Sequence, residues 1–256
     1  MGGAIAHAVL QNNIVSKITI IDPTPELPNN LAAHKNITHH AGLTGVEASD
    51  ASLCLLAVKP QVMDMIAAPL KGALNNGCLI LSIAAGKTIT GFETLFGADT
   101  PIIRAMPNTP AMIGEGISVL CPNSKVTAAQ KDMASRLLGA CGAIEWIEDE
   151  NHIDAVTAIS GSGPAYLFYF METLESAAIA RGLPKNLAKA LARQTVIGSA
   201  ALAANQTDTA PSILRENVTS PNGTTAAALD ILMSGEFAQI LRRATEAAQK
   251  RSKELS

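Results

Sequence analysis

The chain has 256 residues, 48% of them hydrophobic, 3% aromatic and 16% charged, with a formal net charge of -3. That length suffices for one large domain or two ordinary ones whose cores fold without staples. With 19 Lys and Arg against 22 Asp and Glu there is no basic footprint for nucleic acid, and no apolar run approaches the roughly 20 residues of a bilayer span, so neither a nucleic-acid nor a membrane partner is expected.

Met1 to Leu10 already reads as a helix, with nothing before it. Lys17 to Ile21 (K-I-T-I-I) is a β-branched run ended by the turn signal Asp22-Pro23. Leu53 to Val58 is a second strand, closed by Lys59-Pro60, and Leu79 to Ile83 a third, closed by Ala84-Ala85-Gly86. Ile102 to Met106 is a fourth, closed by Pro107-Asn108-Thr109-Pro110, and Ile117 to Leu120 and Ile144 to Ile147 add two more. Helical stretches from Gln61 to Leu74 and Thr127 to Cys141 separate these runs, which predicts a largely parallel sheet covered on both faces.

Beyond Glu150 no strand candidate follows and alanine becomes dense. Pro164 opens a helix to Arg181 that Gly182 ends, and Pro184 opens another to about Asn205. Ser212 to Val218, Thr224 to Met233 and a terminal helix complete the chain; the last places Phe237, Ile240, Leu241, Ala244, Ala247 and Ala248 on one face. The expected architecture is an α/β Rossmann-like domain over 1–149 and an all-helical domain over 150–256. Its alanine faces suit an intertwined dimer, although the aromatics at Tyr166 and Phe168 to Phe170 could equally fill one core.

Cys54, Cys78, Cys121 and Cys141 are irregularly spaced, which reads as buried reduced thiols in a cytosolic protein. The five histidines form no H-E-x-x-H pattern, so no metal site is expected.

An open parallel sheet binds ligands at the carboxyl ends of its strands. Ala57 to Pro60, Ile83 to Gly86 and Met106 to Asn108 would line that crevice. Lys59 offers a cation there, though alone it reads as a solvated loop lysine. Asp22 stands where dinucleotide folds place the acid for a ribose hydroxyl, and equally it can begin a D-P turn. In the helical half, Ser160-Gly161-Ser162-Gly163-Pro164 and Thr219-Ser220-Pro221-Asn222-Gly223-Thr224-Thr225 each bring backbone amides to a helix start. Either could merely cap its helix; together they point to a small anionic ligand.

The set A-V-K-P, S-I-A-A-G, R-A-M-P-N-T-P, S-G-S-G-P-A-Y and N-V-T-S-P-N-G-T-T-A-A-A-L resembles pyrroline-5-carboxylate reductase along the whole chain, most specifically from Pro211 to Asp230. The resemblance implies reduction of 1-pyrroline-5-carboxylate to L-proline, the last step of proline biosynthesis, with NADPH or NADH as hydride donor. It also implies a cytoplasmic enzyme whose helical domain interlocks as a homodimer or builds a higher homo-oligomer. By position, Ala57, Val58, Lys59, Pro60, Ile83, Ala84 and Ala85 match cofactor-contacting segments, and Asn108 matches the loop near the nicotinamide. Glu150, Asn217, Ser220, Gly223, Thr224 and Thr225 match positions contacting substrate or nicotinamide, with Thr225 the catalytic hydroxyl at the imine nitrogen.

Two features depart from the family pattern. The family begins with a strand and a fingerprint ending G-x-G-x-M, whereas Met1 matches that last position; a gap in the sheet and a natural start some ten residues earlier are expected, roughly one strand plus a loop. Asp22 replaces a small or basic residue and would repel a 2'-phosphate, which favours NADH. Two rival readings are a β-hydroxyacid dehydrogenase, whose catalytic lysine is absent from Pro164 to Phe170, and a non-catalytic sensor that binds proline or a nucleotide. The missing first strand gives the sensor weight, while the complete Ser220 to Thr225 loop argues against it.

Overall fold

The computed structural model describes residues 1–255. In chain order its elements begin with α1 (Gly2–Gln11), β1 (Ile18–Ile21), a single turn α2 (Asn29–Ala32), β2 (Ile37–His40) and β3 (Leu53–Leu56). They continue with α3 (Met63–Ala73), β4 (Leu79–Ser82), α4 (Ile89–Phe96), β5 (Ile102–Met106), β6 (Gly116–Pro122), α5 (Ala128–Gly139), β7 (Gly142–Trp146) and the short α6 (Ile153–Val156). Five helices follow: α7 (Gly163–Ala180), α8 (Lys185–Ala204), α9 (Pro211–Asn217), α10 (Thr224–Leu232) and α11 (Glu236–Leu255).

The strands form two sheets. β1 pairs in parallel with β2, and a second sheet runs β3-β4-β5-β6-β7, parallel throughout except that β5 and β6 are antiparallel. β4 and β5 are buried at every position, as continuous apolar runs in a doubly covered sheet must be. β1 and β3, which pair with each other in neither sheet, are mostly half-buried. Ile5 and Val9 of α1 pack with Ile18 of β1 and with Leu53 and Leu55 of β3 in one apolar cluster that includes Leu79, Ile103 and Leu138. The other face is filled by Met63, Ala67 and Leu70 of α3 and Phe92 and Phe96 of α4 over Ile80 and Ile102.

Helix ends follow the local chemistry. The Thr127 hydroxyl accepts from the Gln130 amide while Gln130 bonds back to the Thr127 amide, a capping box that starts α5 one residue inside the expected span. Thr88 caps α4 by accepting from the Gly91 amide at 3.1 Å.

Two compact units result: Met1–Ser162 together with Ala248–Ser256, and Gly163–Ala247. The break between these compact units falls after Ser162. The physical reason is Ile153, fully buried with Ile89, Met106 and Cys121, which anchors the stretch after Glu150 to the sheet. Within the helical unit α7, α9 and α10 bury no residue, and α8 buries only Ala188, Ala192 and Val196. Phe168 and Tyr169 are 57% and 66% exposed, and Phe237 and Ile240 on the expected apolar face of α11 are 51% and 62% exposed. The aromatics therefore do not fill a core within this chain.

Candidate functional site

The carboxyl ends of β3, β4 and β5 supply one cluster of loops. Gly2 opens α1 so close to the loop after β3 that a Cβ at Gly2 would meet the Ala57 Cβ at 2.7 Å. Met1 occupies the N-cap of α1 and contributes no side-chain cap, and no acid lies in the first turn. The amides of Gly2, Gly3 and Ala4 therefore lack intrahelical partners and face outward with the positive end of the helix dipole, an arrangement suited to a phosphate. Ala57 and Lys59 are exposed and Val58 half-buried, with Lys59 leading into the 3-10 turn Pro60–Val62. Among the described residues Lys59 has no ion-pair partner, whereas the neighbouring Lys87 is paired with Asp64 at 3.1 Å.

After β4 the backbone of Ile83 still bonds the carbonyl of Leu56 at 3.1 Å, and the Ala84 amide bonds the Ser82 hydroxyl at 3.2 Å. Ala84 is buried and Ala85 exposed, so a short loop with little side-chain bulk faces the crevice. After β5, both ends of the Asn108 amide are used inside the chain. Its Oδ1 accepts from the Ile117 amide at 2.9 Å and its Nδ2 donates to the Ser160 carbonyl at 3.2 Å. Asn108 thus ties the loop after β5 to β6 and to the glycine-rich turn.

Glu150 behaves similarly. Its Oε1 accepts from Arg104 Nη1 at 2.6 Å and from the Ile89 amide at 2.9 Å. Arg104 is only 3% exposed, so this is a charge-assisted bond in the interior of the sheet unit. The matched position was expected to meet a ligand; here that oxygen holds β5 and the start of α4. A cation inside the apolar run I-I-R-A-M signals a required anionic partner, which Arg104 finds in Glu150.

Asp22 ends β1. Its Oδ1 accepts from the Thr24 amide at 2.8 Å, its carbonyl bonds His39 Nε2 at 3.0 Å, and the Thr24 hydroxyl and amide hold its carboxyl below the usual carboxylate range. The turn and the acid therefore coexist at one residue.

The remaining expected residues lie in the helical unit. Thr219 donates its hydroxyl to the Arg215 carbonyl at 2.7 Å, closing the end of α9. Asn222 takes the left-handed conformation at φ 58, and the Gly223 amide bonds the Ser220 carbonyl at 3.0 Å. Gly223 is the N-cap of α10 and has no side chain with which to cap it. The first intrahelical bond runs from Ala227 to the Gly223 carbonyl, leaving the Thr224, Thr225 and Ala226 amides available. Thr225 is half-buried, while Asn217, Ser220 and Thr224 are exposed. The structure thus gathers Met1, Ala57 to Pro60, Ile83 to Ala85, Asn108 and Glu150 in the sheet unit, and Asn217 to Thr225 in the helical one.

Among the described residues no group of three or more His, Cys, Asp or Glu is placed to hold a metal ion.

Known proteins match both units. Residues 150–255 match the family described as pyrroline-5-carboxylate reductase dimerisation, and residues 1–86 match NADP oxidoreductase coenzyme F420-dependent. The pyrroline-5-carboxylate reductase of Pseudomonas aeruginosa is 43% identical over 208 residues, covering 81% of this chain and 76% of that protein. That of Haemophilus influenzae is 36% identical over 99% of this chain and 95% of its own length. The solved reductase from Coxiella burnetii superposes with a TM-score of 0.90 at 35% identity, covering 100% of this chain and 94% of that one. The Plasmodium falciparum structure, solved with NADP bound, gives 0.82 at 32% identity over 100% and 94%. With likeness of this degree across nearly its whole length, the chain belongs to the pyrroline-5-carboxylate reductase family.

Proposed function

We propose that the protein reduces 1-pyrroline-5-carboxylate to L-proline with NAD(P)H, closing proline biosynthesis, and that Thr225 is its catalytic hydroxyl. The observation that carries the second part is the uncapped start of α10, where backbone amides and the Thr225 hydroxyl share one turn. A carboxylate accepts from those amides and is favoured by the positive helix end. Asn217, Ser220, Gly223 and Thr224 complete that cradle. Thr225 Oγ1 holds the proton at the imine nitrogen, where positive charge makes the neighbouring carbon the better hydride acceptor.

The nucleotide fits the sheet unit because the α1 N-terminus is uncapped and the exposed Ala57 and Ala85 leave the backbone open to close approach. Ala57, Val58, Lys59, Pro60, Ile83, Ala84 and Ala85 would hold it beside Met1. When bound, its reduced nicotinamide supplies the hydride; the protein contributes orientation and exclusion of water. Asn108 and Glu150 serve by fixing the loops around this crevice. The Asp22 carboxylate would accept from a ribose hydroxyl, and with Glu26 nearby and no Lys or Arg between Asp22 and His34 it favours NADH.

Residues 150–256 serve as the dimerisation and substrate part, pairing as a homodimer or larger homo-oligomer. The open apolar faces of α7 and α11 support this. Free cysteines at all four positions support a cytoplasmic home, and no described helix is long and apolar enough to cross a membrane.

The test is oxidation of reduced nicotinamide by pyrroline-5-carboxylate, for wild type, Thr225→Ala and Thr225→Ser. Loss of positioned proton transfer predicts a fall in kcat of about 100-fold or more for Thr225→Ala, with partial recovery in Thr225→Ser. Equal kcat in all three defeats the role of Thr225, and an inactive wild type that binds nucleotide returns the ligand-sensor reading.

A further inference from the structure

α11 does not end in the helical unit. Its residues from Ala248 onward belong to the compact unit that holds the sheet. There the Ser252 hydroxyl donates to Asp154 Oδ1 on α6 at 2.6 Å. One turn further on, the Leu255 backbone lies directly against Gly86, so that a Cβ at position 86 would collide with the Leu255 carbonyl. Gly86 also adopts φ +76, a conformation that L side chains rarely take.

This contact falls at the middle of the loop after β4. Its early part is held by the Ala84 amide on Ser82, and its far end by the Ile89 amide on Glu150. Between these points Lys87 reaches Asp64, a pair whose carboxylate side is 70% exposed and which constrains little. The Leu255 backbone is what packs on the intervening Gly86. Since the last carbonyls of a helix have no intrahelical partner, the terminal turn can approach another backbone with its carbonyl edge.

We infer that the last turn of α11 is a brace for the Ala84–Gly86 loop, with Ser252 and Leu255 as positioning residues for the nucleotide. The inference rests on the reading that this loop contacts the cofactor. The end of the dimerisation part thereby sets the shape of the cofactor crevice, with Asp154 as its anchor. Neither Ser252 nor Leu255 need touch the nucleotide.

The first measurement is amide hydrogen exchange of the whole chain without nucleotide. Ser252→Ala should raise exchange across residues 84–89, and Ser252→Thr, which keeps the hydroxyl, should restore the wild-type pattern. The second is the dissociation constant for reduced nucleotide by equilibrium titration, expected to weaken about five- to tenfold in Ser252→Ala, the worth of one lost hydrogen bond. Turnover at saturating cofactor should stay near wild type.

A double-variant cycle isolates the contact itself. Gly86→Ala should weaken nucleotide binding less in a chain ending at Glu254 than in the full chain, because the colliding carbonyl is gone. Ala85→Asp separately tests the loop reading; if it leaves nucleotide binding unchanged, that reading fails and the brace falls with it. If Ala85→Asp blocks binding, unchanged exchange at 84–89 in Ser252→Ala overturns the brace alone. Equal effects of Gly86→Ala in both backgrounds do the same.

Discussion

Replacing Glu150 by alanine should be one of the costliest single changes in the sheet unit. Arg104 is 3% exposed, its Nη1 bonds Glu150 Oε1 at 2.6 Å, and among the described residues its Nε and Nη2 have no hydrogen-bond partner. Removing the carboxylate leaves a buried cation uncompensated, which costs about 3–5 kcal/mol. The Ile89 amide loses its acceptor too, a further loss of about 1–3 kcal/mol that overlaps the first because one oxygen serves both donors. The expected total of about 4 kcal/mol compares with the roughly 5–15 kcal/mol that holds a typical domain folded.

Arg104→Met should behave differently. It removes the cation and fills its space with an apolar chain, while the Glu150 side chain, 25% exposed, keeps water and the Ile89 amide. Because the carboxylate left behind is partly solvated, the cost should be about 1–2 kcal/mol, well below that of Glu150→Ala. The double variant should therefore be more stable than Glu150→Ala alone. Urea unfolding at fixed protomer concentration measures all three, since association contributes to apparent stability. Arg104→Met costing as much as Glu150→Ala, or a double variant less stable than Glu150→Ala, would show that the buried charge is not what dictates the cost.

Three other outcomes follow from the same geometry. Asp22→Ser should tighten NADPH relative to NADH by about 5–30-fold, from a repulsion of about 1–2 kcal/mol between a solvated carboxylate and a 2'-phosphate; an unchanged ratio of dissociation constants removes Asp22 from cofactor choice. Burial pushes the Cys54 thiol from 9.0 up to about 12 and those of Cys78 and Cys121 up to about 11. The fold favours the protonated thiols, so stability is full below pH 9.0 and declines as pH climbs from 9.0 towards 11; urea midpoints across that range test the sign, and a midpoint that rises with pH refutes it. Finally, Ile240→Glu, on a face 62% open at that residue, should yield smaller particles in sedimentation than wild type, and an unchanged mass would exclude that face from assembly.

Much of this protein is written locally. Continuous apolar runs such as Ile102 to Met106 need burial on both faces, and Pro and Gly punctuation marks where they stop, so five of the six expected strand positions survive with ends shifted by a few residues and the fourth unchanged. The helices after Pro164 are equally legible, because propensity and capping act within a few residues. β2 was invisible: Ile37-Thr38-His39-His40 has a single apolar side chain, and it becomes a strand by pairing with β1. The antiparallel turn of β6 against β5 is likewise a matter of register between distant segments. The candidate site divides in the same way. Its turns and amide-rich helix starts were recognisable from glycine, proline and hydroxyl spacing. The demands on Asn108 and Glu150 were not, since their partners Ile117, Ser160, Ile89 and Arg104 lie well away along the chain. Nor does any local pattern announce that Leu255 must meet Gly86. A length of 256 residues is compatible with one domain or two. Local sequence determined two kinds of structure and placed the change near residue 150, but only tertiary packing, through buried Ile153 and the returning end of α11, decided where one unit stops and the other begins.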